Sequence, residues 1–236
     1  MALEHGHSAT DIAERLASTR VGHLRDIVYG AIDGAITTFA IVAGVEGAGL
    51  PTTVIIALGL ANMLADGFSM AASNYSGTKA ELDDRHRIRA VEEKHIATVP
   101  DGEREELRQI LRLKGLRGPV LEQATAQIAS DNDTWIGVMM TDEYGLSPAH
   151  PRPLSAAGAT FLAFVVAGSV PLIPFLLGIG SAFAWATAMT AAVFFAIGTA
   201  KSRWSLAPWW RSGLETLLIG AVAAAIAFGV GRLFHV

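Results

Sequence analysis

Long apolar stretches separated by short polar ones occupy the first third and the last third of the chain. Each stretch is close to the roughly 20 residues that an α-helix needs to cross a bilayer. The pattern therefore predicts five membrane spans, over residues 24–45, 52–76, 156–177, 182–199 and 213–233. We expect Pro171 and Pro174 to kink the third span, because proline has no N–H to donate.

The stretch between the second and third spans is polar and charged, with apolar positions at helical spacing. It predicts three helical parts: a continuation of the second span without a break, a helix over 102–113, and a helix over 118–144. Asp101 is a suitable N-cap for the second of these, and Lys114–Pro119 separates the second from the third. The predicted fold class is an all-α membrane protein, with five transmembrane helices and a three-helix segment inserted between spans 2 and 3.

This pattern divides the chain into four parts with different expected environments. An N-terminal tail (1–22) contains a short amphipathic piece, and spans 1 and 2 follow (23–78). A helical domain (79–150) is expected to bind metal, and spans 3 to 5 complete the chain (151–236).

Composition supports a membrane protein and excludes some kinds of site. The chain is 51% hydrophobic and only 17% charged, and no charged residue occurs between Pro153 and Ala200. With no cysteine, disulfides and thiolate metal sites are excluded. The absence of a basic tract gives no support to nucleic-acid binding.

The positions of Lys and Arg predict the orientation. The loops and tail on one side carry all of these residues except Arg232. Basic residues are enriched in cytoplasmic segments, so we expect the N-terminus and residues 79–150 in the cytoplasm and the C-terminus on the opposite side. A bacterial inner membrane is the expected location.

The first two spans carry polar residues that are costly in lipid and therefore indicate a site or a pathway. Asp26 and Asp33 share a face of span 1, and the small residues around Asp33 let another helix approach closely. On span 2 the residues at i, i+4 and i+8 are Asn62, Asp66 and Met70. Carboxylate oxygen with thioether sulfur favours a divalent transition metal. Alternatively, Met70 packs in the core and Asp66 makes a helix-to-helix hydrogen bond.

A second group of ligand-type residues lies in the charged segment, and each set falls on one helical face. The group comprises Glu92 with His95, Glu103 with Glu106, and Met139, Met140 and Glu143. Several ligands to shared ions would need such faces. The alternatives are that the acids form a solvated surface and that the methionines are core residues of the third helix.

Particular motifs resemble the vacuolar iron transporter family, the iron and manganese transporters of plants, fungi and protists with many bacterial relatives. The resemblance extends from about His23 to the C-terminus. Its carriers are the stretch Asp-Gly-Ala-Ile-Thr-Thr-Phe-Ala-Ile-Val-Ala-Gly at 33–44, Asp-Gly-Phe-Ser-Met at 66–70, the Glu-rich helices, and Pro-Leu-Ile-Pro-Phe at 171–175.

This resemblance implies a five-span homodimer with the ion path at the dimer interface. Asp33 and Met70 of each protomer would form the membrane site. The cytosolic helices would collect metal through Glu92, Glu103, Glu106, Met139, Met140 and Glu143. The chain departs from the family where Asn62 and His95 each replace a glutamate, which affects proton stoichiometry and metal preference.

The expected function is proton-coupled export of Fe²⁺, with Mn²⁺ as a second substrate and Zn²⁺ as a further ion the ligands can bind. The expected partners are metal ions, protons, membrane lipid and a second copy of the chain; no other cofactor and no catalytic residue is expected. One rival is a membrane-tethered di-iron ferroxidase, because Glu92-x-x-His95 has the spacing of such centres and Asp83-x-x-His86 resembles a second copy. Another is a metal-sensing or storage module without transport.

Overall fold

The computed structural model describes residues 6–17 and 22–234, and within these ranges the chain forms helices and turns but no strand. Parts of the predicted N-terminal tail, residues 1–5 and 18–21, lie outside the described residues. The α-helices are α1 (Ala9–Ala17), α2 (Leu24–Gly47), α3 (Thr52–Thr98), α4 (Pro100–Leu113), α5 (Gly118–Ala129), α6 (Asn132–Asp142), α7 (Pro153–Ser169), α8 (Ile173–Leu176), α9 (Ala182–Lys201) and α10 (Trp209–Leu233).

Five helical segments of the described chain are long and apolar enough to cross a membrane, which confirms the prediction of five spans. They are Leu24–Gly47, Thr52–Thr98, Pro153–Leu176, Ala182–Trp204 and Trp209–Leu233. Many of their large apolar side chains are exposed, such as Phe68 at 70% and Val166 at 67%. Side chains of this kind are stable on the surface of a helix that contacts lipid.

The predicted interruption of the third span is present. Helix α7 ends at Ser169, a 3₁₀ turn covers Val170–Leu172, and α8 continues the span. Pro171 lies inside the 3₁₀ turn, where its missing N–H removes one α-helical hydrogen bond.

The described chain divides into two compact units, which we call the span bundle (residues 22–77 and 153–234) and the carboxylate unit (6–17 and 78–152). In the span bundle, α2 packs against α7, α9 and α10. Gly30 and Gly34 make the contact with α7 possible, since a Cβ on either would overlap a carbonyl oxygen of Thr160 or Phe164. The small-residue spacing therefore allows the close helix approach that it predicts.

An apolar core holds the carboxylate unit together. It joins side chains of the second part of α3 to side chains of α4, α5 and α6. Its buried residues are Ile88, Ile96, Leu107, Leu111, Leu121, Trp135, Ile136, Met139 and Met140. Leu107 and Met139 are fully buried. This core fixes the faces of α3, α4 and α6 that carry the polar ligand-type residues.

The predicted single helix over 118–144 is wrong, because the chain there forms two helices, α5 and α6. Asp131 lies at the break in an extended conformation, and its side chain accepts a hydrogen bond from the backbone N–H of Thr134. An Asp N-cap of this kind starts a new helix. The inserted segment therefore has four helical parts, the end of α3 and the helices α4, α5 and α6, instead of the three predicted.

The prediction of Asp101 as the N-cap of the next helix is also wrong. Helix α4 begins at Pro100, two residues before the predicted start at Gly102, with Val99 as its N-cap. Proline is favoured at the first helical position because its fixed φ suits the helix and its missing N–H would be unpaired there anyway. Asp101 lies in the first turn, where its charge is favourable to the helix dipole.

Candidate metal centre

Three predicted ligands meet where α3 turns into α4. Glu92 and His95 lie one turn apart on α3, and Glu103 lies in the first turn of α4. One ligand atom from each residue can be chosen so that all three lie within 4.8 Å of one another. His95 Nδ1 is 3.3 Å from Glu103 Oε1. Such a group can hold a divalent metal ion through two carboxylates and an imidazole.

The local sequence explains this approach. Helix α3 ends at Thr98 and α4 begins at Pro100, so Val99 alone connects them. The N–H of Val99 donates to the His95 carbonyl, and the Val99 carbonyl accepts from Gly102. This short connection carries the first turn of α4 back to the last turns of α3.

Both carboxylates of the group are buried and each has one oxygen without a partner. Glu92 is 1% exposed and Glu103 is 5% exposed. Among the described residues, Glu92 Oε2 and Glu103 Oε2 have no hydrogen-bond partner. A buried anion without compensation is costly, and a bound cation would supply the missing interaction.

Two further predicted ligands add negative charge around this group. Burial raises the pKa of Glu103, and the charges of Glu106 and Glu92 raise it further. Burial also raises the pKa of Glu143, with contributions from Glu92 and Glu106. Five of the predicted ligands are therefore electrostatically coupled, and a cation would relieve their repulsion.

The two thioether ligands predicted in the charged segment are core residues of the carboxylate unit. Met139 is fully buried and Met140 is 4% exposed, and both pack in the apolar core described above. Packing alone accounts for their burial, which is what the alternative interpretation of these residues expects. Their part as metal ligands stays a prediction.

Tyr144 also reaches this group, although the sequence pattern does not predict it. Its hydroxyl donates a hydrogen bond to Glu92 Oε1 at 2.9 Å. Burial and this hydrogen bond raise the pKa of Tyr144. The one signal in the sequence is Gly145, which takes a positive φ just after the end of α6 and so reverses the chain there.

The predicted membrane ligands are divided between two places on α2 and α3. Asp33 on α2 and Asp66 on α3 are close enough for their like charges to repel each other. Asn62 precedes Asp66 by about one turn on α3 and, like it, is half-buried. Asp33 lies further from the N-terminal end of α2 than Asp26 does, so Asp33 and Asp66 form the deeper of the two places.

Asp26 and Met70 form the second place, where they line a cavity of about 230 Å³ together with Asn74 and Thr160. Asn74 Nδ2 donates to Asp26 Oδ1 at 3.0 Å and to Thr160 Oγ1 at 2.6 Å. The other oxygen of Asp26 is 3.1 Å from His23 Nδ1. Both Asp26 oxygens thus have protein partners. The sequence pattern does not predict Asn74, His23 or Thr160 as residues of a site.

Comparison with known families adds a match over nearly the whole described chain. The model of the VIT family matches residues 24–232. The chain belongs to the VIT family. All twelve predicted ligand residues fall within the matched range.

The curated relatives that this chain resembles include proteins of plants and protists. "Vacuolar iron transporter 2" of Oryza sativa subsp. japonica is 35% identical over 212 residues, covering 89% of this chain and 86% of the relative. "Vacuolar iron transporter 1" of Tulipa gesneriana is 32% identical over 212 residues, with 89% and 86% coverage. "Vacuolar iron transporter" of Plasmodium berghei (strain Anka) is 28% identical over 241 residues, with 97% and 88% coverage.

Membership of the VIT family agrees with the five apolar helices, and together they identify an integral membrane protein. The family match covers both the span bundle and the carboxylate unit. The two groups of acids therefore belong to one membrane protein, with one group on its spanning helices α2 and α3 and the other in the carboxylate unit.

Proposed function

We propose that this VIT family member exports Fe²⁺ from the cytoplasm, with Mn²⁺ as a second substrate, in exchange for protons. The names of its plant and protist relatives support iron as the substrate. The five apolar helices support passage through a membrane rather than storage in solution.

The observation that carries this proposal is the group formed by Glu92, His95 and Glu103. Two buried carboxylates with unpartnered oxygens beside an imidazole suit Fe²⁺, Mn²⁺ and Zn²⁺. We propose that this group, with Glu106, Glu143 and the two methionines, collects metal from the cytoplasm. In this role it raises the local metal concentration.

The membrane step uses Asp33 and Met70, with Asp26, Asp66 and Asn62 along the same two helices. A carboxylate must be deprotonated to bind metal, so a proton and a metal ion compete for Asp33. An inward-negative potential opposes export of a cation by about 2.3 kcal/mol per charge per 100 mV. Proton influx at the same carboxylate offsets that cost.

The homodimer and the orientation are parts of the same proposal. Two copies would bring Asp33 and Met70 of each protomer to one path at their interface. The asymmetry of Lys and Arg supports a cytoplasmic carboxylate unit, with the C-terminus on the other side. Lipid would cover the remaining apolar faces of the spans.

A flux measurement in liposomes tests the proposal. The full chain is reconstituted with an iron-quenched dye in the lumen, Fe²⁺ is added outside under anaerobic conditions, and quenching is followed with and without an acidic lumen. We expect quenching that is faster with the acidic lumen and slower in the double variant Glu92→Gln with Glu103→Gln. Quenching equal to that of protein-free liposomes would contradict transport.

A ferroxidase would need a second cluster like the first, and the structure gives little support for one. Asp83, in the possible second motif, is exposed and pairs with Lys79. We therefore propose that the chain is not an enzyme. Oxygen consumption on addition of Fe²⁺ to the aerobic protein, lost in Glu92→Gln, would overturn this part of the proposal.

A further inference from the structure

Tyr144 is held beside the metal group by the turn that ends α6. The N–H of Leu146 donates to the Met140 carbonyl at 2.9 Å, and Gly145 takes the left-handed conformation that this turn requires. Leu146 then packs on the core of the carboxylate unit. The backbone on both sides of Tyr144 is thereby fixed, and its hydroxyl reaches Glu92.

The hydrogen bond from Tyr144 makes the two oxygens of Glu92 different. Oε1 accepts the phenol hydrogen at 2.9 Å, whereas Oε2 is buried and has no partner among the described residues. Glu92 is 1% exposed, so water does not exchange freely around its carboxylate. A tyrosine phenol is protonated at neutral pH, so the hydroxyl of Tyr144 is a hydrogen-bond donor.

We propose that Tyr144 is a positioning residue that sets the metal preference of the Glu92–His95–Glu103 group by keeping Glu92 a one-oxygen ligand. The inference rests on the proposed metal-collecting function of this group. Larger ions that prefer oxygen, such as Ca²⁺, accept two oxygens from one carboxylate and high coordination numbers. Single oxygens combined with an imidazole favour Fe²⁺, Co²⁺ and Zn²⁺ over Mn²⁺ and Ca²⁺.

Replacing the hydroxyl separates this role from a structural one. In Tyr144→Phe, Glu92 Oε1 loses its donor and becomes available for two-oxygen binding. Binding of Co²⁺ should weaken because the carboxylate is no longer oriented, while binding of Mn²⁺ and Ca²⁺ should gain an oxygen. A merely structural role would weaken all three ions alike and leave their ratios unchanged.

The test uses the full chain in detergent micelles and competition between a fluorescent chelator and Co²⁺, Mn²⁺ or Ca²⁺. Co²⁺ stands in for Fe²⁺ because it is stable in air. We expect the ratio of Co²⁺ to Mn²⁺ affinity to fall about tenfold in Tyr144→Phe, the usual size of a change in groups that orient metal ligands. Tyr144→Leu, which also lacks the hydroxyl, should give the same fall. Tyr75→Phe, a tyrosine outside the carboxylate unit, should keep the wild-type ratio.

The outcomes distinguish this inference from the function on which it rests. If Glu103→Gln loses Co²⁺ binding but both Tyr144 variants keep the wild-type ratio, the role of Tyr144 is overturned and the metal group stands. If Glu103→Gln and wild type bind Co²⁺ equally, the metal group itself is wrong, and the inference falls with it. A fall in the ratio for Tyr75→Phe equal to that for Tyr144→Phe would also overturn the inference.

Discussion

Glu103 lies in the proposed metal group and is surrounded by other titratable side chains. Its carboxylate is buried and faces the carboxylates of Glu92, Glu106 and Glu143 and the imidazole of His95. Because its pKa is raised, the Glu103 carboxyl group binds a proton more tightly in the folded protein than in the unfolded chain. The metal-free protein therefore gains stability as the pH falls through the raised pKa toward the ordinary value of 4.5.

We predict that the chelator-treated full chain melts at a higher temperature at pH 5.5 than at pH 7.5. Glu143 contributes in the same direction because its pKa is also raised. Glu103→Gln should reduce the difference, since glutamine does not titrate, whereas the exposed Glu81→Gln should keep it. Thermal unfolding followed by tryptophan fluorescence measures this; equal pH dependence in wild type and Glu103→Gln would contradict it.

Asn74 is the residue whose loss should weaken the span bundle through hydrogen bonding. It donates to Asp26 and to Thr160, which is 2% exposed. Asn74→Ala removes this donor from both buried acceptors, at a cost of about 1–3 kcal/mol. We expect a lower melting temperature in detergent for Asn74→Ala than for Ser73→Ala, an exposed neighbour on α3. Equal melting of the two variants would show that these hydrogen bonds add no stability.

Residue types and helical spacing were enough to predict the acids of the candidate site but not all of its geometry. Glu92 and His95 are one turn apart, so their common face follows from the helix period. Tyr144 lies beyond the end of α6, where its direction depends on the turn at Gly145 and on the packing of Leu146. Periodicity does not describe such a turn, and the hydroxyl of Tyr144 has no sequence signal of its own.

Among the helices, the spans were predictable and the break between α5 and α6 was not. A span is specified by length and hydropathy, which are properties of the sequence alone. The α5–α6 break occurs at Ser130 and Asp131 between segments that both have helical periodicity. The spacing of Asp131 and Thr134, typical of an N-cap, was the signal that could have revealed it.

The contact of α2 with α7 gives a prediction at the scale of whole helices. A Cβ at Gly34 would overlap the carbonyl oxygen of Phe164, so the backbones must separate in Gly34→Ala. We expect destabilisation of about 1–3 kcal/mol, as for other overpacked sites. The measurement is thermal unfolding in detergent.

Gly158→Ala is the matched control for that variant. Gly158 lies on α7, and a Cβ there has open space. Alanine is the better helix former, so this variant should be neutral or slightly more stable than wild type. If Gly34→Ala melts like Gly158→Ala, the close approach of α2 and α7 does not limit stability.

At the scale of the whole molecule, the distribution of basic residues predicts opposite sides for the carboxylate unit and the C-terminus. A short epitope inserted after Gly115, in the loop between α4 and α5, should be protected from protease in right-side-out vesicles. An epitope at the C-terminus should be cleaved there. If both epitopes are protected, or both are cleaved, the proposed topology with an odd number of spans is wrong.

The family and the membrane class followed from the sequence because motifs and hydropathy are local features. The path of the ion does not follow in this way, since it depends on how side chains of different helices, and of a second copy, come together. The charges of Asp33 and Asp66 interact, and Met70 lies with Asp26 in a cavity. Asp33 is therefore the residue on which the proposed path depends most.

Flux through Asp33→Asn is the measurement that tests the proposed transport most directly. The full chain is reconstituted in liposomes with an acidic lumen, and Fe²⁺ movement is compared for wild type, Asp33→Asn and Glu46→Gln, an exposed acid at the far end of α2. Asparagine keeps the shape of the side chain but neither the charge nor the titration. We predict that Asp33→Asn folds and binds Co²⁺ through the carboxylate unit but carries no Fe²⁺, while Glu46→Gln transports like wild type. Wild-type flux in Asp33→Asn would contradict an ion path through α2 and α3.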